Sequence, residues 1–313
     1  MKALLVWMSL LMVLMAALIG FPGICKEGPE SLAGRGVVLC GASTGIGEDL
    51  AYAYARAGSR LVLVARRAEA LERVAERCRA LGSPEAHALA ADLSSEEEAA
   101  RVVATAVELL GGPFDVLVLN HIVGFFDSWS KMWANTTSAS SLEKRRVFGL
   151  QSESLRDTVK RTVEVNALSY VYLATHAIPV LSSSAGNIVV VSSAAGRVGL
   201  PNVSIYSGAK HFLDGFFRSL RHDLLQQPDT AAIDISVVYL GNIATPNAIA
   251  NTRGELDHIK REKSSDAALA CFTASHCRYR EVFFPFLEIR LLSLFYPWCG
   301  GLLDQIVRVI VSK

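Results

Sequence analysis

Tyr206 and Lys210 stand four residues apart in Tyr-Ser-Gly-Ala-Lys, which places a phenol and an ammonium on one face of a helix. A free phenol ionises near about pH 10, and a neighbouring cation favours the phenolate, so Lys210 is expected to tune Tyr206 as a general acid/base. A Tyr and a Lys at this spacing are common by chance. Ser193 adds weight: it follows the apolar run Ile188 to Val191 in Val-Val-Val-Ser-Ser-Ala-Ala-Gly, at the carboxyl end of a candidate strand, where open α/β sheets hold ligands. A hydroxyl there can hold a polarised oxygen while the phenol moves a proton.

A second constellation lies near the start. Val37-Val38-Leu39 runs into Cys40-Gly41-Ala42-Ser43-Thr44-Gly45-Ile46-Gly47, followed by a helical stretch with Leu50, Ala51 and Ala55. Glycines let the backbone approach a pyrophosphate, and the helix amino terminus behind them offers free amides and a positive dipole end. A glycine cluster also makes plain turns, but a strand before it and a helix after it favour a dinucleotide turn. The next strand, Leu61 to Val64, ends in Ala65-Arg66-Arg67, with no carboxylate before Glu69. A basic residue here neutralises a 2′-phosphate, as an acidic one would bind a free ribose, so NADP(H) is the expected cofactor, with Arg66 and Ser43 reading the phosphate. The alternative is a solvated arginine pair opening a helix.

These groups need a scaffold that brings strand ends together. Val37-Val38-Leu39, Leu61 to Val64, Val116 to Leu119, Ile188 to Val191 and Ile235 to Leu240 are short and apolar almost throughout, as strands buried on both faces are. Leu71, Val74, Ala75 and Cys78 recur at helical spacing, with Glu72, Arg73, Glu76 and Arg77 opposite. The alternation predicts an α/β fold, a doubly wound parallel sheet of Rossmann type in a single domain. The expected organisation is an anchor helix over 1–22, a linker over 23–33, the catalytic domain over 34–281 and an apolar tail over 282–313. From Phe125 to Ser154 periodicity fails, and a long loop is expected. The tail is interrupted by Pro285, Pro297 and Gly300-Gly301, which argues against a second span. Lying on the bilayer, lining a substrate entrance and forming a subunit interface remain open for it.

Taken in order, these motifs resemble the short-chain dehydrogenase/reductase family from about Gly34 to Thr245. The resemblance implies that Asp92, in Ala-Ala-Asp-Leu, is the adenine-side acid, and that Asn120, in Leu-Asn-His-Ile, stands where the family carries Asn-Asn-Ala-Gly. It makes Asn166, in Glu-Val-Asn-Ala-Leu-Ser-Tyr, the fourth catalytic residue beside Ser193, Tyr206 and Lys210, with Asn166 positioning a relay water and Lys210 also binding the nicotinamide ribose. Gly241 to Thr245 is similar to the loop that closes over the nicotinamide. Thr44 and Ile46 join the cofactor set as part of the glycine turn, and Tyr206 and Lys210 as neighbours of the nicotinamide ribose. The Asn-His-Ile variant, Val-Val-Val-Ser-Ser and Leu213-Asp214-Gly215-Phe216-Phe217 look like the 11β-hydroxysteroid dehydrogenase type 1 branch, whose members carry an amino-terminal anchor and a lumenal catalytic domain. Two departures stand out: Cys40 replaces the usual Thr, and the stretch between Asn120 and Asn166 is longer than in that branch by roughly twenty residues, a length that loop entropy tolerates.

The implied reaction is hydride transfer between a nicotinamide and an alcohol or ketone on a hydrophobic molecule, a steroid by resemblance, with Ser193 and Tyr206 touching the substrate. A retinoid, another lipid carbonyl or a xenobiotic ketone needs a similar apolar pocket, and a membrane-bound NADP-binding scaffold without turnover is the alternative of another class. His121 titrates near neutrality as a free imidazole, but at the end of a buried strand a packing role is the expectation.

Ala3 to Phe21 is nineteen residues with only Ser9 polar, long enough to cross about 30 Å of hydrocarbon. Leu18, two before Gly20, spoils a small-x-small cleavage pattern, which favours an uncleaved anchor over a signal peptide. Lys2 and the family resemblance place the amino terminus in the cytosol and the domain in the endoplasmic reticulum lumen. Asn135-Thr-Thr and Asn202-Val-Ser match the glycosylation acceptor pattern, Asn135 the more accessible of the two. Six scattered cysteines lack zinc-site spacing, so no metal is expected; Cys271 and Cys277 are read as ordinary thiols, with a lumenal pairing between them as the alternative. With 31 basic and 30 acidic side chains there is no excess field for nucleic acid, while a homodimer stays open as a partner.

Overall fold

The computed structural model describes residues 25, 27–124, 145–147, 150–152, 155–252 and 258–311. The apolar segment Ala3 to Phe21, Lys2 and Asn135 lie outside the described residues.

Seven parallel strands form one sheet: β1 (Gly36–Cys40), β2 (Arg60–Ala65), β3 (Ala86–Ala90), β4 (Val116–Leu119), β5 (Asn187–Ser193), β6 (Asp234–Leu240) and β7 (Glu281–Phe284). Their order is β7-β6-β5-β4-β1-β2-β3, so the chain winds outward from β1 in one direction and, from β4, in the other. β1 pairs on one side with β2, Val37 opposite Leu61, and on the other with β4, Val37 opposite Val116. The crevice beyond the carboxyl ends of β1 and β4 is the topological switch point where such sheets bind ligands.

Helices cover both faces. α1 (Ile46–Arg56), α2 (Ala68–Ala80) and α8 (Ser264–His276) pack on one. α3 (Glu96–Leu109), α5 (Ser169–Ser184) and α6 (Ser204–Leu225) pack on the other. α2 buries Leu71, Val74, Ala75 and Cys78, the stripe its sequence periodicity predicts. α3 begins where Ser95 Oγ accepts a hydrogen bond from Glu98 N, and three glutamates in its first turn suit the positive end of the helix. α4 (Leu155–Val163) enters α5 through a π-helical turn, Glu164–Leu168, and α7 (Pro246–Thr252) follows β6.

Two strands escape a reading by apolar runs. β3 is Ala-His-Ala-Leu-Ala, poor in β-branched residues and only partly buried at the sheet edge. β7 extends the sheet past residue 281 and joins β6 in register, Val282 opposite Val238. Within the stretch expected to be a loop, Arg145–Val147 and Leu150–Ser152 pair as a short antiparallel hairpin, and α4 begins at Leu155.

α9 (Phe286–Val311) follows β7 and breaks at Cys299, whose φ of −131° and ψ of 32° are not helical. Its span Phe286–Ile306 is long and apolar enough to cross a membrane by length and composition. Trp298 and Leu302 are exposed upon it.

Cys277 is not a free thiol. It is joined in a disulfide to Cys25, 252 residues away, with the two Cα atoms 4.9 Å apart. Cys271, the alternative partner weighed from the sequence, is a buried free thiol on α8, and burial pushes it up to about 12. Two cysteines about one and a half helical turns apart in sequence lose here to a contact that only the fold creates.

Candidate active site

At the carboxyl end of β1 the chain turns at Gly41, whose φ of +82° is left-handed and suits glycine. Gly47 is tighter still: a Cβ there would lie 2.0 Å from the Gly41 carbonyl oxygen and 2.7 Å from Asn120 Nδ2. α1 therefore starts directly against the turn, and Asn120, just past β4, locks the pair by donating from Nδ2 to Gly41 O over 3.1 Å. Thr245 leans on the same turn, since a Cβ on Gly45 would come 3.1 Å from Thr245 Cβ. Its hydroxyl accepts from Ala248 N at the start of α7, over 3.1 Å. The result is a bare backbone cradle at the amino end of α1, and it fits a dinucleotide pyrophosphate.

A cavity of about 380 Å³ opens from this cradle. Gly41, Ser43, Thr44, Ile46, Asn120 and Thr245 line one part of it, and Arg66, Arg67, Asp92 and Arg161 another. The expected cofactor residues thus meet in one place, with Gly45 and Gly47 shaping the turn through their backbone; Tyr206 and Lys210 are not part of this lining. Two refinements follow. Arg67 joins Arg66 in the pocket, and its Nη2 donates to Ser43 Oγ over 3.1 Å. Arg161, from α4, enters the pocket without any local sequence signal, because it is 69 residues from the Asp92 it contacts.

The proton-transfer group forms where β5 gives way to α6. Ser193 caps the short turn Ala194–Gly196, its Oγ accepting from Ala195 N over 3.2 Å. α6 is tied to that turn by Ser207 Oγ donating to Ala195 O over 2.6 Å. The tie sets Tyr206 beside Ser193, close enough for the serine to act on the phenol's ionisation. Lys210, one helical turn on, is 1% exposed; its Nζ donates to Val191 O over 2.9 Å and lies 3.4 Å from the Tyr170 hydroxyl and 5.8 Å from the centre of the Tyr206 ring.

The electrostatics differ from the expectation drawn from spacing. Burial raises the Tyr206 phenol above its usual value, and only Ser193 draws it back. Burial pushes the Lys210 ammonium down to about 7. Desolvation outweighs the attraction between the two here, because Lys210 is turned toward Val191 and Tyr170.

The fourth residue of the expected catalytic set is Asn166. It is fully buried in the π-helical turn, its Nδ2 donating to Val123 O over 2.7 Å and its Oδ1 accepting from Val123 N over 2.8 Å. Its side chain clamps the segment after β4 to the helix behind it. Tyr170, which spacing did not single out, contributes more directly: its hydroxyl donates to His121 O over 2.7 Å and faces Lys210 Nζ.

His121 is buried against Tyr170, ring centres 4.5 Å apart, with Nε2 2.6 Å from Ser169 Oγ. That hydroxyl donates to Val165 O, so the imidazole Nε2–H is the donor to Ser169. Burial, then Lys210 and Arg66, push His121 down to about 3, which keeps it neutral, as a packing residue would be.

Comparison with known proteins agrees with this geometry. The short chain dehydrogenase family model matches residues 35–255. A hydroxysteroid 11-beta-dehydrogenase 1-like protein of Xenopus tropicalis is 39% identical over 272 residues, 86% of this chain and 85% of that one. Its counterpart in Gallus gallus is 40% identical over 285 residues, covering 87% and 90%. Among solved structures, a short chain dehydrogenase/reductase from Burkholderia phymatum in complex with NAD superposes with a TM-score of 0.66 at 20% identity, covering 84% of this chain and 92% of that one. A 7α-hydroxysteroid dehydrogenase complexed with NADH and 7-oxo glycochenodeoxycholic acid gives 0.66 at 21% identity, covering 80% and 92%. At such identities the structural likeness speaks for the fold, and the sequence relatives carry the family. The chain belongs to the short-chain dehydrogenase family, in its hydroxysteroid 11-beta-dehydrogenase 1-like branch, as an oxidoreductase that uses a nicotinamide cofactor.

Proposed function

We propose that the chain interconverts a hydroxyl and a ketone on a hydrophobic substrate of the steroid class, with NADP(H) as cofactor. The observation that carries this reading is the meeting of Ser193 and Tyr206 at the end of β5, close enough for the serine to lower the phenol, with Lys210 one helical turn beyond. When bound, the nicotinamide supplies or accepts a hydride. Ser193 holds the substrate oxygen, and Tyr206, kept protonated by burial, donates its proton to that oxygen as a ketone is reduced. Lys210, near neutrality in its tuning, stands behind Tyr206 to resupply the proton. Tyr170 and the Val191 carbonyl fix where that ammonium sits. Preference for NADP(H) is supported by Arg66, Arg67 and Arg161 in the pocket wall against the single carboxylate of Asp92.

The steroid class is supported by the names of the relatives. Residence in the endoplasmic reticulum membrane, with the domain lumenal behind an anchor over Ala3 to Phe21, is supported by that segment's hydropathy and by the Cys25–Cys277 disulfide, a bond typical of oxidising compartments. In that topology Asn135 is the better glycosylation candidate of the two acceptor triplets, ahead of Asn202.

The test is turnover by the full-length chain in detergent with NADPH or NADH and a panel of ketosteroids, retinal and aromatic ketones. Reduction of a ketosteroid with NADPH favoured is the expected result. Turnover of retinal or the aromatic ketones alone would remove the steroid reading, and equal use of NADH would remove the cofactor preference.

A further inference from the structure

The pocket wall holds four charges from three places in the chain: Arg66 and Arg67 after β2, Asp92 after β3 and Arg161 on α4. They are not equally engaged. Arg161 Nη2 bridges both oxygens of Asp92, 2.8 Å from Oδ1 and 2.7 Å from Oδ2. Arg67 donates to Ser43. Arg66 has no ion-pair partner among the described residues, although it is close enough to feel Asp92, Arg161 and Arg67; burial lowers its guanidinium, Asp92 raises it, and the other two arginines lower it again.

The Arg161 side chain is 19% exposed and Asp92 49%, so the pair lies at the pocket surface and contributes little to folding as an isolated salt bridge. Its consequence is for the charge the pocket presents. Asp92 faces two candidate cations, Arg161 and Arg66. A carboxylate paired with Arg66 would mask that guanidinium and add a negative charge where a 2′-phosphate, carrying about −1.5 to −2 at neutral pH, must be accepted. Arg161 removes that competition by holding both oxygens of Asp92.

We propose that Arg161 is a specificity-determining positioning residue: by sequestering Asp92 it leaves Arg66 free to read the 2′-phosphate of NADP(H). The inference rests on the proposed NADP(H) site. It assigns discrimination between the two cofactors to a helix remote in sequence from the glycine turn and from the end of β2. Losing Arg161 releases Asp92 onto Arg66, and removing the Asp92 charge as well makes Arg161 dispensable.

Dissociation constants of NADP+ and NAD+, measured by calorimetry on the full-length chain in detergent, test this without recourse to turnover. The proteins are the parent, Arg161→Met, Asp92→Asn and the double variant, with Arg161→Gln as a second replacement should Met impair folding. The expected result is that Arg161→Met weakens NADP+ by about tenfold, the loss of one charge-assisted contact, and NAD+ by less than about threefold. The double variant should recover NADP+ affinity to within about threefold of Asp92→Asn alone. Equal weakening of both cofactors, or no recovery in the double variant, overturns the proposal. A parent that binds the two cofactors equally sinks the NADP(H) preference itself. The role of Arg161 then still stands or falls on whether the ratio shifts between parent and Arg161→Met.

Discussion

Replacing Lys210 by Met should make the protein more stable in acid while silencing it. Burial holds the ammonium of Lys210 at about 7, against 10.5 for the free side chain. One pH unit corresponds to about 1.4 kcal/mol, so below pH 7 the fold carries a penalty of about 5 kcal/mol for keeping this lysine charged. Between pH 7 and the unfolded value the unfolded chain binds one more proton than the folded chain, and the penalty fades as pH rises. Met fills nearly the same volume without charge, but leaves the Val191 carbonyl without its Lys210 donor at a cost of about 1–3 kcal/mol. The net expectation is a gain of about 2–4 kcal/mol at pH 6 that shrinks by about 3 kcal/mol by pH 9. Cys40, Cys78 and Cys271, each pushed up to about 12 by burial, pull the other way above about pH 8.5, because the unfolded thiols ionise first. They are common to both proteins and cancel in the difference. Urea unfolding of the full-length parent and variant at matched pH values measures that difference directly. A variant less stable than its parent at pH 6, or a difference that does not move with pH, would refute the account of Lys210.

Tyr206→Phe removes the proton donor beside Ser193, so turnover should fall by about 10²–10⁴ while calorimetry finds NADP+ binding within about twofold of the parent; retention of most activity would unseat Tyr206. Arg66→Asp places a carboxylate where the pocket lacks one to spare, and should shift the NADPH/NADH ratio of kcat/KM by at least about tenfold toward NADH; an unchanged ratio would show that another group reads the phosphate. His121→Ala opens a void beside Tyr170 and should lower stability by about 2–4 kcal/mol with a smaller effect on chemistry; a pure fall in kcat with unaltered unfolding and cofactor affinity would make the imidazole a proton carrier after all.

Strands β1, β2, β4, β5 and β6 announce themselves because each is apolar on both faces, a pattern set by burial alone. β3 is visible only once β2 is beside it, since Ala86, Ala88 and Ala90 have no strand preference of their own. β7 hides because the apolar residues after it on α9 blur where the sheet ends. The glycine turn is readable from types and spacing, as its function is carried by backbone within a few residues. The tuning of Tyr206 and Lys210 is not readable in this way, because it depends on burial, which only the assembled fold creates. Arg161 and Cys25 are of the same kind: their partners are 69 and 252 residues distant, and no local pattern encodes a contact that folding alone brings about.

The Cys25–Cys277 bond also sets the length of a leash. Without it, the chain after the proposed anchor would next be fixed at the turn Pro29–Leu32, whose Leu32 is buried, about eight residues on and an extended reach of roughly 28 Å. With Cys25 fastened to the end of α8, only Pro22, Gly23 and Ile24 separate Phe21 from the folded body, a reach of roughly 14 Å. With the proposed anchor in the bilayer, the domain would be held against its surface and could not drift or tumble far from it. A hydrophobic substrate dissolved in the membrane would meet the same flank of the protein at each encounter, and cutting the bond would lengthen the tether without altering a single residue of the active site.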